Sequence, residues 1–156
     1  MNTLILYATK YGSATACVNA LREKLTGEVR IVNIKTDPVP ELGEFDQVIL
    51  GGSIYVGKIQ KEMTAFSEQR LDALLMKKVG LFICAGEKKA EYAELQAAFP
   101  PRLYDHAVVK DVFGYEIHLE KMNWLERQMM RLKGVKSSSS QLLQDNIDKL
   151  AAAMNA

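Results

Sequence analysis

The chain has 156 residues, 48% of them apolar and 25% charged, a balance that supports one globular domain with a sizeable core. Twenty basic residues against nineteen acidic ones leave a formal charge of +1, so no global field points to nucleic acid or to a strongly acidic partner. Cys17 and Cys84 come without a CxxC pair or a histidine cluster, which supports neither a disulfide framework nor a metal site; both are read as small buried apolar residues in a reducing cytoplasm.

In chain order, hydrophobic period and punctuation predict a strand over 3–8, a helix over 14–25 and strands over 29–34 and 47–51. A helix over 59–75, a strand over 79–85 and a helix over 88–99 follow. A strand over 107–113 and helices over 119–133 and 141–154 complete the set. The connection over 37–45 holds two prolines and no helical period, so a loop or short turn is expected there. Ser137 to Ser140 reads as a linker that also caps the last helix. Residues 1–3 lead directly into a four-residue apolar run with no leader-like segment, and no apolar run approaches the ~18 residues of a membrane span. The expectation is a cytoplasmic chain, attached at most to the inner face of a membrane.

Apolar strands alternating with amphipathic helices imply an α/β fold: a mainly parallel sheet with helices on both faces and right-handed crossovers. In such sheets ligands bind at the carboxyl ends of strands where the strand order reverses, which for the order 2-1-3-4-5 lies between the first and third strands. The residues there are Thr9, Lys10, Tyr11, Gly12, Ser13, Ala14 and Thr15 after the first strand, and Gly52, Ser53, Ile54, Tyr55, Val56 and Gly57 after the third. Ala85, Gly86 and Glu87 follow the fourth. A strand running through hydroxyls and a glycine into a helix aims unpaired N–H groups and a positive dipole end at one point, an arrangement suited to an anion. Helix capping by Thr9 or Ser13 is the other reading of the first loop, and plain turn geometry that of the second. Tyr55 is placed to stack on a flat ring, to contact a substrate or to lie exposed; Tyr92 reads as a helix-face residue more than a stacking one.

Several chemistries are excluded by what these loops lack. A phosphate-accepting receiver needs acidic residues after strand one and an aspartate ending strand three, where this chain has Ala8-Thr9 and Gly51-Gly52-Ser53. Neither GxxxxGK[ST] nor GxGxxG is present, and His106 and His118 read as surface histidines rather than members of a Ser-His-Asp set.

"ATKYGSAT" resembles the FMN phosphate loop of flavodoxins, and "GGSIYVGKIQ" resembles their first isoalloxazine loop. The likeness runs in order along nearly the whole chain and implies one flavodoxin-like domain over 1–156: a doubly wound five-stranded parallel sheet, order 2-1-3-4-5, with FMN as cofactor. It implies that Thr9 to Thr15 hold the phosphate, that Gly52 to Gly57 hold the ring, that Ala85, Gly86 and Glu87 also bind the cofactor, the loop from Gly86 to Glu91 facing its pyrimidine edge, and that no side chain need act as a base. Ala14, where that family's loop usually ends in threonine, shifts one hydroxyl to Thr15.

Together with "GYEIHLEKMNWLERQMMRLKG", the second loop looks most like the menaquinone-dependent protoporphyrinogen dehydrogenase group, although the third loop and late basic segment are short for it. That likeness implies a heme-biosynthetic oxidoreductase passing electrons from a hydrophobic substrate to a quinone. Leu119, Met122, Trp124, Leu125, Met129, Met130, Leu132 and Val135 give the late helix a broad apolar face bordered by Lys121, Arg127, Arg131, Lys133 and Lys136. Such a face suits a hydrophobic ligand, a membrane headgroup region or the sheet itself. Trp124 falls off its main stripe, so Trp124, Arg127 and Arg131 are the expected substrate or membrane contacts. A flavodoxin-type electron carrier between protein partners is the alternative; carriers usually bear a pronounced negative charge, and this chain does not.

Overall fold

The first strand shows why the sheet forms where it does. Leu4 and Leu6 point into one buried cluster and Ile5 into the other, and all three are fully buried. Only a strand covered on both faces makes use of a continuous apolar run of this kind. This protein's structure, a computed structural model, describes residues 1–10, 12–55, 57–85, 89–117, 119–132 and 139–156. Strands β1 (Asn2–Ala8), β2 (Glu28–Asn33), β3 (Gln47–Ser53), β4 (Lys78–Cys84) and β5 (Val109–Val112) form a sheet in the order β2-β1-β3-β4-β5, every neighbouring pair parallel. β3 is buried along its whole length, as a central strand must be.

Helices α1 (Thr15–Lys24) and α7 (Gln144–Asn155) bury Cys17, Val18, Leu21, Ile147, Leu150 and Met154 against Ile5, Ile49 and Phe82 on one face. The opposite face receives α2 (Lys61–Gln69), α3 (Leu71–Leu74), α4 (Lys89–Ala98) and α5 (Pro101–His106), whose Met63, Phe66, Leu74, Leu95 and Leu103 pack on Leu4, Leu6, Val48 and Leu50. Both cysteines are free and buried. The expected fold class, sheet order and two-sided cover are all present.

Four expectations need correction. The helix foreseen over 59–75 breaks at Arg70, whose φ of −108° separates α2 from α3 and turns Leu74 into the same core as Phe66. The Pro100-Pro101 pair starts the unforeseen helix α5, with Pro101 in the first turn, where its missing N–H is harmless. Of the Ser137 to Ser140 segment expected as a linker, Ser139 and Ser140 lie in β7 (Ser139–Leu142), residues 137 and 138 fall outside the described residues, and α7 starts later, at Gln144, without a side-chain cap. β7 pairs antiparallel with β6 (Gly114–Ile117), so a two-stranded ribbon stands where the sequence predicts none.

That ribbon leaves the main sheet at Gly114. The glycine's φ of +90° disfavours L side chains, and a Cβ there would overlap the Gln141 carbonyl. At the ribbon's far end the predicted helix over 119–133 becomes a 3₁₀ turn, Leu119–Lys121, and then α6 (Trp124–Leu132). Asn123 caps α6: its Oδ1 accepts the Glu126 N–H at 2.9 Å, and its own N–H donates to Glu126 Oε1 at 3.4 Å.

Candidate functional site

The carboxyl ends of β1 and β3 lie side by side, since Ala8 pairs with Gly52. The first loop therefore runs directly against the second. Thr9 Oγ1 accepts the Ala14 N–H at 3.1 Å and lies 3.3 Å from Ser13 Oγ, and the Ser13 hydroxyl donates to the Lys10 carbonyl at 3.2 Å. Gly12 takes a φ of +73°, which bends the loop into the start of α1. At that start the N-cap is Ala14, whose N–H is taken by Thr9 Oγ1, the Thr15 N–H donates to the Gly12 carbonyl at 3.1 Å, and the first turn carries no acidic residue. The positive helix end thus carries no carboxylate of its own and favours an external anion, beside the hydroxyls of Thr9, Ser13 and Thr15. Those donors fit a phosphomonoester, whose oxygens need several N–H or O–H partners.

The second loop is tied to the first. Ser53 Oγ accepts the Lys10 N–H at 3.2 Å and the Gln60 amide at 3.0 Å. Gln60 is an unforeseen member of the site, buried beside Gly52, where a Cβ would press on Ala8 O and Gln60 Oε1 at 2.9 and 3.0 Å. Close packing, not only access for a flat ring, therefore demands glycine at 52. Beyond Ile54, Tyr55 and Lys58 close a small turn through reciprocal backbone bonds of 2.9 and 3.1 Å, with Gly57 at φ +74°. Ala85 is buried at the end of β4. Tyr11, Val56, Gly86 and Glu87 lie outside the described residues.

The ribbon brings a third layer. Glu126, only 6% exposed, faces loop 1 with Oε2 3.3 Å from Lys10 Nζ. Lys10 Nζ in turn lies 3.7 Å from the centroid of the Tyr55 ring. A hydrogen bond between the Tyr55 hydroxyl and the Glu126 carboxylate holds the phenol above its ordinary range; burial adds to the shift and Lys10 opposes it. Lys121 also reaches the site, its Nζ 3.6 Å from the position a Cβ would take on Gly12. The sequence shows Lys121 only as part of a basic border, and shows Glu126 only through the Asn-x-x-Glu spacing of a helix start.

The broad apolar face foreseen on the late helix divides. Met122 is buried, whereas Trp124, Leu125 and Leu132 are 72%, 61% and 90% exposed, and within α6 the buried residue is the charged Glu126. Arg127 and Arg131 are exposed near Trp124, and Arg127 Nε donates to the Met122 carbonyl at 3.0 Å. The Tyr92 hydroxyl donates to Asp111 Oδ1 at 3.1 Å. His106 bonds the Lys77 carbonyl at 2.7 Å, and His118 lies outside the described residues.

A family model described as a flavodoxin domain matches residues 4–151, and the chain belongs to the flavodoxin domain family. A search of curated proteins finds no match. Among solved structures, a short-chain flavodoxin associated with a non-canonical PDU bacterial microcompartment is 17% identical with a TM-score of 0.62, the match covering 100% of this chain and 99% of that one. A flavodoxin of Streptococcus pneumoniae is 16% identical with a TM-score of 0.56 and 99% coverage of both chains. A flavodiiron core from Synechocystis is 13% identical with a TM-score of 0.52; the match covers 99% of this chain and 34% of that one, so this chain spans about a third of that protein. At these identities the likeness speaks for the fold.

Proposed function

We propose that residues 1–156 act as one redox domain that binds FMN between the loops after β1 and β3. The observation that carries this reading is the hydroxyl-bearing loop that bends at Gly12 into α1, a helix start with no acidic residue in its first turn, in a family of flavodoxin domains. The phosphate lies with Thr9, Lys10, Tyr11, Gly12, Ser13, Ala14 and Thr15. The ring lies with Gly52 to Gly57 and with Ala85, Gly86 and Glu87. FMN, when bound, supplies the hydride and electron chemistry, and the chain supplies orientation, potential and access.

The substrate class follows from the helix above the site. Trp124, Leu125 and Leu132 form an exposed apolar face beside Arg127 and Arg131, a combination suited to an amphiphile with anionic groups. In this reading the protein oxidises a hydrophobic substrate of the protoporphyrinogen kind and passes electrons to a quinone, working in the cytoplasm with α6 against the inner face of the membrane. Flavodoxin-type electron transfer between protein partners is the second reading, supported by the full-length likeness to flavodoxins. Nucleic acid is not among the partners.

The deciding experiment is a visible absorption spectrum of the purified protein with mass identification of the small molecule released by heat. FMN near one per chain is expected. A colourless protein that also fails to take up added FMN overturns the reading.

A further inference from the structure

Glu126 performs two tasks with its two oxygens. Oε1 completes the cap of α6, a role that capping glutamates fill at the surface. Capping does not account for the burial of the other oxygen against the Lys10 ammonium, which itself lies 3.7 Å from the centroid of the Tyr55 ring. Lys10 comes from the loop after β1, Tyr55 from the loop after β3, and Glu126 from a helix at the end of a ribbon inserted after β5. Three distant segments thus meet around the Lys10 ammonium. The Lys10 ammonium covers one face of the Tyr55 ring.

We propose that Glu126 is a positioning residue for the cofactor, fixing the Tyr55 ring and the Lys10 ammonium together so that the inserted helix sets both the aromatic surface offered to the flavin and the charge beside it. The inference rests on the FMN reading above. Two consequences follow from Coulomb's law in a partly buried site. Removing the carboxylate takes a negative charge away from the site beside the flavin, which favours the more negative, reduced form. Without Lys10, the carboxylate disfavours that form.

Glu126→Gln tests this cleanly, because glutamine keeps the acceptor that caps α6 and removes only the charge. Trp124, the chain's single tryptophan, stands at the first position of α6 and reports its mobility. In E126Q the expected results are faster Trp124 depolarisation in FMN-free protein and a roughly tenfold rise in the affinity for reduced relative to oxidised FMN. That ratio equals about 30 mV upward in the two-electron potential. Lys10→Met moves the potential downward, and the double variant returns towards wild type. A potential and flavin spectrum unchanged in E126Q, with wild-type protein binding FMN normally, overturn the positioning role alone. Wild-type protein that takes up no FMN overturns it together with the reading on which it rests.

Discussion

Gly51 and Gly43 are glycines that a sequence pattern treats alike and the structure separates. A Cβ on Gly51 would overlap the Phe82 ring, which stacks on Phe113 with centroids 4.6 Å apart and planes 8° from parallel. On Gly43 a Cβ meets nothing within 4 Å. Gly51→Ala therefore forces Phe82 off its partner in a close-packed core, with an expected loss of about 1–3 kcal/mol, while Gly43→Ala stays within about 0.5 kcal/mol of wild type. Urea denaturation midpoints of the two variants check the contrast. Equal midpoints would mean that the core yields at Phe82 without cost. The same distinction bears on Gly52, where Ala8 O and Gln60 exclude a side chain for reasons of packing. Turn chemistry in the sequence flags these positions but does not say which atoms exclude the side chain.

At the scale of elements, the alternation of strands and helices is legible because the central strands are buried on both faces and carry their own apolar signal, as in Leu4 to Tyr7 or Val79 to Cys84. The ribbon carries no such signal. Ser139, Ser140 and Gln141 are poor strand formers, and their pairing with β6 is fixed by a turn at Gly114 and by contacts distant in sequence. The site was legible to the same extent: the two glycine-containing loops announce themselves locally, whereas Glu126 and Lys121 become site residues only once the ribbon folds back over Gly12 and Tyr55. Gly114→Ala is expected to undo that folding. Amide exchange in β6 and β7 should accelerate at least tenfold, while β1, β3 and β4 keep wild-type protection, because the ribbon shares few hydrogen bonds with the main sheet. Uniform acceleration across all strands would show instead that ribbon and sheet open as one unit.

For the whole molecule, the question is what a near-neutral flavodoxin domain gains from an inserted helix with exposed Trp124, Leu125 and Leu132. A carrier that docks many partners is served by a one-sign field, which raises association rates, and a formal charge of +1 provides little of it. An enzyme for an amphiphilic substrate is served by an apolar face with cationic neighbours close to the flavin. Trp124 and Arg127 are both exposed, so replacing them with alanine costs the fold little. With protoporphyrinogen and a menaquinone analogue, the wild-type protein is expected to turn over. The double alanine variant should keep its FMN and lose tenfold or more in kcat/KM, about 1.4 kcal/mol of transition-state stabilisation. A wild-type protein that shows no turnover yet is rapidly reduced by a flavodoxin reductase places the function with the carriers, and the apolar face then becomes the surface on which a protein partner docks. Turnover that survives the double substitution keeps the enzyme and moves the substrate away from α6.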